Sequence, residues 1–207
     1  MTILVEKYRP LTIDSFAGLE DAKLRARSIV TNPRESSWLF LGGSGTGKTT
    51  LALAIAEELK AELHHLSSQN CTVAAVRTLR DKLAYAPMFG CTWHLVIIDE
   101  ADEMSPEAQN AWLSILDSTN RPARTIFIFT ANSTEALKDR FVSRNRVVKF
   151  STYGIAKDAI DLLARVWEHE TGNASAPNFA RIVKESNNNI RASLQVLESH
   201  IEDILFA

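Results

Sequence analysis

Cysteine is nearly missing from this chain. Two of its 207 residues, Cys71 and Cys91, are cysteines, and they form no Cys-x-x-Cys pair. That excludes a disulfide framework, and with the five histidines scattered, the spacing predicts no zinc site. An excess of one charge is missing too. Twenty-three Lys and Arg face 25 Asp and Glu, a net charge of −2, so bulk positive charge does not hold this chain to nucleic acid. A local basic patch stays open. No apolar run approaches the roughly 20 residues of a membrane span, and the Met1–Lys7 stretch lacks a sustained apolar core. These absences lead us to expect a soluble, intracellular protein with no membrane partner. Its compartment would be the cytoplasm, the nucleus in a eukaryote, or the host cytoplasm if viral.

What is present is alternation. Apolar bursts of strand length fall at Trp38–Leu41, Glu62–Leu66, Trp93–Ile98, Thr125–Thr130 and Val147–Phe150. Helical patterns lie at about Glu20–Val30, Gly47–Lys60, Thr72–Tyr85, Pro106–Asp117 and Thr134–Phe141. Strand-helix alternation on this scale predicts an α/β fold, a five-stranded parallel sheet covered on both faces. After Phe150 the pattern is helical only, at Ala156–Glu170, Pro177–Ser186 and Ile190–Phe206. We therefore expect an α/β domain over residues 1–153 and a small all-helical domain over 154–207, with Asn187-Asn188-Asn189 as turn and cap before the last helix.

Four of the eight glycines fall in Gly42-Gly43-Ser44-Gly45-Thr46-Gly47-Lys48-Thr49, which fits G-x-x-x-x-G-K-[ST] between a strand and a helix. Such a P-loop wraps phosphates with backbone amides at a helix N-terminus, where the dipole favours anions. Lys48 is placed to meet the β- and γ-phosphates of ATP, the Thr49 hydroxyl to ligate Mg²⁺, and Thr50 to line the same site. The strand Leu95-Val96-Ile97-Ile98 then delivers Asp99 and Glu100 at its C-terminal end, where open α/β sheets bind ligands. Asp99 suits the Mg²⁺ shell, and Glu100 suits a general base that activates water.

The run Asp99-Glu100-Ala101-Asp102-Glu103-Met104-Ser105-Pro106-Glu107-Ala108-Gln109-Asn110-Ala111 resembles the AAA+ clamp-loader small subunits, the replication-factor-C and phage clamp-loader group. So does the opening Val5-Glu6-Lys7-Tyr8-Arg9-Pro10. The resemblance implies a P-loop AAA+ module followed by a helical lid, with Val5, Tyr8 and Pro10 around the adenine. It places Asn132, at the end of the strand Thr125–Thr130, as the residue that senses the γ-phosphate. It also places Arg144 of Ser143-Arg144-Asn145 as a finger into a neighbour's ATP site, although Asn145 stands where the family has Cys and Arg140 and Arg146 compete for the role. Arg191, in Asn189-Ile190-Arg191-Ala192-Ser193-Leu194, matches a further phosphate-facing arginine.

By the same resemblance the partners are homo- or hetero-oligomeric AAA+ neighbours, a sliding clamp and primer-template DNA. The activity is ATP hydrolysis that opens or loads the clamp. The family continues into a C-terminal collar, whereas this sequence stops at Ala207; either the collar has been removed, or this is a compact natural relative that assembles through its ATPase modules alone, in which case assembly is expected to depend on ATP. Arg77, Arg80 and Lys82 fall where clamp loaders touch the DNA backbone, whereas Trp112 falls on an apolar helical face with Ala108, Ala111, Ile115 and Leu116 and reads as core or interface. The alternative is a stand-alone AAA+ remodelling or regulatory ATPase acting on a protein partner.

Overall fold

In a computed structural model of the chain, residues 3–88, 90–117, 119–172 and 175–205 are described. The elements run α1 (Leu4–Lys7), α2 (Glu20–Thr31), β1 (Ser36–Leu41), α3 (Lys48–Glu58), β2 (Glu62–Ser67), α4 (Val73–Leu83), β3 (His94–Asp99), α5 (Pro106–Leu116), β4 (Thr125–Ala131), α6 (Asp139–Ser143), β5 (Arg146–Lys149), α7 (Ala156–Thr171), α8 (Phe179–Glu185) and α9 (Ile190–Leu205). The sheet order is β2-β3-β4-β1-β5, and every neighbouring pair is parallel. The expected five-stranded parallel sheet is present.

Side chains along a strand alternate between faces, and this sheet buries both. Phe40, Leu95, Ile97, Ile126 and Ile128 face one way, onto Leu51 and Ile55 of α3 and Ala22, Ala26 and Ile29 of α2. Leu39, Val96, Ile98, Phe127 and Phe129 face the other, onto Leu79 of α4, Trp112 of α5 and Phe141 of α6. Trp112 is fully buried, edge-on to Phe127 and Phe129, and its indole N–H points at Cys71 Sγ at 2.9 Å. It is therefore core. Helix α5 starts with a Ser105 side-chain cap on the Ala108 amide and Pro106 in its first turn, the arrangement that leaves fewest orphan donors.

A third cluster joins α7, α8 and α9 through Leu163, Val166, Trp167, Ile182, Leu194 and Leu197. The N-terminal arm is shared between clusters. Leu4, Val5 and Tyr8 pack with these helices, whereas Ile13 and Phe16 enter the sheet core.

The helix expected over Thr134–Phe141 is corrected to Asp139–Ser143, because a turn closed by the Leu137 amide on Thr134 O replaces its first half. The cause is Gln109, which is 1% exposed. Its Nε2 donates to Met104 O (3.2 Å) and Ala136 O (3.0 Å), and its Oε1 accepts from the Lys138 amide (2.9 Å). One buried amide side chain thus competes successfully with helical hydrogen bonding. The remaining boundaries move by a residue or two; Phe206 of the last expected helix lies outside the described residues.

Replacing Gln109 with Leu keeps the volume but strands these backbone groups. The change is expected to cost about 2–3 kcal/mol, read as a lowered urea midpoint at unchanged m-value.

Candidate functional site

The P-loop leaves the end of β1 and turns directly into α3. Gly42 must be glycine here, since a Cβ at that position would lie 2.3 Å from Phe150 O, beside the end of β5. Gly45 and Gly47 adopt φ of +74° and +91°, a region that side-chain-bearing residues rarely tolerate. Among the described residues, the first amide of α3 with a backbone acceptor is that of Leu51, which donates to Gly47 O at 2.8 Å. Gly42 N donates to Ala131 O at 3.1 Å, and the loop amides between it and Leu51 are left for a ligand at a helix N-terminus.

Lys48 is 8% exposed, and its ammonium donates to Gly42 O (2.6 Å), Gly43 O (2.9 Å) and Asn132 Oδ1 (3.1 Å). Burial lowers its pKa, partly offset by Asp102, while Arg191 lowers it further. Positive charge is thus concentrated against the loop and is best relieved by an anion. Thr49 donates to Asp99 Oδ1 at 2.7 Å. Thr130 donates to the same oxygen at 3.0 Å, and His65 Nε2 lies 2.6 Å from Asp99 Oδ2. Glu100 follows with φ +57°, its amide bonded to Thr130 Oγ1 at 3.1 Å and its side chain exposed. The left-handed backbone at Glu100 ends β3 immediately after Asp99.

Asn132 is held from behind by Asp102, whose Oδ2 accepts from the Asn132 amide at 3.0 Å. Ser44, Gly45, Thr46, Thr49, Thr50, Asp99, Glu100, Asn132 and Arg191 line one continuous pocket over the loop. A second cavity of about 510 Å³ opens from it and is walled by Val5, Tyr8, Pro10, Phe16, Leu162 and Leu194. Its mixed apolar and polar lining and its size fit a nucleotide base and sugar.

The helical part closes over this cavity through Asn189. Its Nδ2 donates to Ser44 O in the P-loop at 2.8 Å, while its Oδ1 caps α9 by accepting from Ala192 N at 3.2 Å. Asn187 and Asn188 before it take φ of +52° and +58°. The N-terminal wall is pinned by Tyr8, whose hydroxyl donates to Glu170 and lies 2.6 Å from His169 Nδ1. Lys7 pairs with the same carboxylate at 2.7 Å. Burial and the neighbouring Glu170 raise the Tyr8 pKa. Hydrogen bonds from Lys7 and then Tyr8 hold Glu170 down to about 2.

Arg144 stands apart from this cavity. Its carbonyl accepts from Ser37 Oγ at 2.7 Å, at the start of β1, whereas the P-loop leaves the end of that strand. At roughly 3.3 Å per residue, Ser37 and Gly42 are about 16 Å apart, beyond the reach of an arginine side chain. The Arg144 guanidinium pairs with Asp117 at 2.7 Å and holds that carboxyl down to about 2. The competing arginines have other partners. Arg146 lies over the Trp38 ring at 5.3 Å, and Arg140 contacts Asn110. Asn145 is buried and caps the end of α6 by donating to Phe141 O at 2.7 Å.

The model of the ATPase family associated with various cellular activities (AAA) matches residues 38–153, more than half of the chain. The chain belongs to the AAA family of ATPases. It is 32% identical to replication factor C subunit 3 of Blastobotrys adeninivorans over 203 residues, 94% of this chain and 59% of that protein. It is 35% identical to replication factor C small subunit 1 of Pyrobaculum arsenaticum over 153 residues, 70% of this chain and 46% of that one. This AAA protein therefore spans about half to three fifths of the length of these relatives. In fold it resembles the Thermotoga maritima RuvB Holliday junction branch migration motor, with a TM-score of 0.77 at 19% identity over 92% of this chain and 64% of the other. No described helix is long and apolar enough to cross a membrane.

The sequence reading missed four polar residues that hold this AAA site together: His65, Asp102, Thr130 and Glu170. Thr130 and Asp102 stand in the very segments that it singled out, so only their partners were hidden. His65 and Glu170 meet their partners across 34 and 162 residues of chain, a separation no local pattern reports.

Because Glu170 has a depressed pKa, its contribution to stability is complete above the ordinary value of 4.5 and is lost as pH falls towards 2. Glu170→Gln is therefore expected to flatten the acid limb between pH 5 and 2, measured as melting temperature against pH.

Proposed function

We propose that this AAA ATPase hydrolyses ATP as one subunit of a clamp-loader-type assembly, each site being completed by a neighbour. The observation that carries this reading is the separation between two halves of one chemistry. Lys48, Thr49, Asp99, Glu100, Asn132 and Arg191 gather at one end of β1, whereas Arg144 lies at the other.

In the proposed reaction, ATP lies with its base between Val5, Tyr8 and Pro10 and its phosphates on Gly42, Gly43, Ser44, Gly45, Thr46, Gly47 and Thr50. Lys48 and Arg191 face the terminal phosphates as fixed positive charges. Mg²⁺ fits the hydroxyl and carboxylate of Thr49 and Asp99, hard oxygen donors already 2.7 Å apart. Bound there, it would neutralise charge on the phosphate oxygens. Glu100 takes the proton of the attacking water, and its exposure leaves room for that water. Asn132 orients the water against the γ-phosphate, its backbone held by Asp102.

Arg144 leaves Asp117 and enters the neighbouring subunit's site, where a planar, always-charged guanidinium stabilises the transferring phosphoryl group. The replication factor C relatives make a sliding clamp and primer-template DNA the favoured targets. Arg77 and Arg80, one turn apart and exposed on α4, suit phosphate contact, with the exposed Lys82 on the other flank of the helix. The compartment that follows is wherever that DNA is replicated, cytoplasm or nucleus.

Glu100→Gln should keep ATP affinity and lose about 10²–10⁴-fold in hydrolysis. Arg144→Ala should keep affinity and lose about 10³-fold or more. Mixed one to one, the two inactive variants are expected to recover about a quarter of wild-type sites by random head-to-tail pairing; steady-state phosphate release that stays at the single-variant level would refute a shared site.

Primer-template DNA together with a sliding clamp is expected to raise the wild-type rate above that seen with either alone. A rate indifferent to both would point instead to remodelling of a protein partner.

A further inference from the structure

The opposite end of the sheet carries a second cluster that the ATP chemistry does not use. Glu62 opens β2 and His94 opens β3, and the two are register partners across the parallel pair. His64 lies two residues beyond Glu62, on the same face of β2. Their ligand-bearing atoms converge. His64 Nε2 is 3.1 Å from His94 Nδ1, His94 Nδ1 is 3.4 Å from Glu62 Oε2, and His64 Nε2 is 3.9 Å from Glu62 Oε1.

Hydrogen bonding fixes the chemistry of this triangle. His94 is 2% exposed, and its Nε2 lies 3.0 Å from the Tyr85 carbonyl, which can only accept. Nε2 therefore carries a hydrogen, which leaves Nδ1 as the atom turned into the triangle. Nδ1 faces Glu62 Oε2 as well as His64 Nε2. The Met88 amide anchors the same oxygen of Glu62 at 2.7 Å. One ligand atom from each of the three residues is thus held within reach of a single cation. The backbone groups of Tyr85 and Met88 supply the outer hydrogen bonds that orient metal ligands.

We propose that Glu62, His64 and His94 form a divalent transition-metal site, with Zn²⁺ as the ion it fits best. Two imidazoles and one carboxylate are donors suited to zinc rather than to magnesium or calcium. Ligand atoms at roughly 2.0–2.1 Å from a tetrahedral ion stand about 3.3–3.4 Å apart; the two imidazole nitrogens are 3.1 Å apart and His94 Nδ1 is 3.4 Å from Glu62 Oε2, while His64 Nε2 is 3.9 Å from the other Glu62 oxygen. Water completes the fourth position. The site lies five residues up β3 from Asp99, about 16 Å away, so it is independent of the nucleotide. Its effect is structural. It ties the starts of β2 and β3 to the segment after α4 that contains Tyr85 and Met88.

The experiment titrates the chelator-treated full chain with Zn²⁺ alone in excess Mg²⁺, by calorimetry, and follows the melting temperature in parallel. One equivalent should bind with micromolar or tighter affinity and raise the melting temperature. Co²⁺ in its place should give the visible absorption of a tetrahedral nitrogen–oxygen site. His64→Gln and Glu62→Gln, each checked for folding by circular dichroism, should weaken Zn²⁺ binding at least about 100-fold, more than loss of an outer-shell partner does. If His64→Gln does not fold, Glu62→Gln decides alone. Absence of stoichiometric Zn²⁺ binding would overturn the site and leave a plain hydrogen-bonded histidine pair. So would one equivalent bound equally well by every folded variant.

Discussion

The carboxylate of Asp99 is the contact on which the rest of the site depends. Its Oδ1 accepts from Thr49 and Thr130, and its Oδ2 meets His65. Through those three bonds the helix after β1 and the strands β2 and β4 are all referred to the end of β3. Thr130 also accepts from the Glu100 amide, so the same node holds the left-handed turn at Glu100, whose side chain is exposed while that of Asp99 is half-buried. Two adjacent acids in sequence thus acquire different environments. In the proposed reaction that divergence would let one serve a cation and the other a water.

Two further ties close the cavity around this node, and both come from far along the chain. Asn189 divides its amide between capping α9 and holding the P-loop carbonyl of Ser44. Tyr8 and Lys7 lock the N-terminal arm onto Glu170 at the end of α7. The base-sized cavity is therefore walled by the first ten residues and by the helical part together. Any motion of those helices relative to the sheet must change its shape, which in the proposed assembly would couple nucleotide state to subunit arrangement.

The parallel sheet also gives the molecule two distinct ends. Every strand points its C-terminus at the P-loop side, where amide dipoles and loops favour anions. The N-terminal ends of the strands face the other way and carry Ser37, which holds the backbone of Arg144, together with Glu62 and His94. In the proposed assembly each chain would offer part of a catalytic constellation on each side, and head-to-tail association would join them.

How much of this was legible in the sequence follows from the range of each interaction. Strand type, helix type and the P-loop depend on residues within a few positions of one another, through alternation, capping and the glycines that a phosphate loop requires. Hence the five strands, the α5 cap at Ser105 and the placement of Lys48, Thr49, Asp99 and Glu100 could be read directly. The first half of the helix expected at Thr134–Phe141 could not, because a buried amide 27 and 29 residues from its partners, Gln109, claims its backbone.

Nor could the partners of Asp99, the lock on Tyr8, or the meeting of His64 with His94, since each bond joins groups separated by 30 residues or more. The sequence by itself determined which groups could do chemistry. Only the tertiary structure decided which of them share a site, because that depends on strand order and register, and parallel strands acquire neighbours that are distant along the chain.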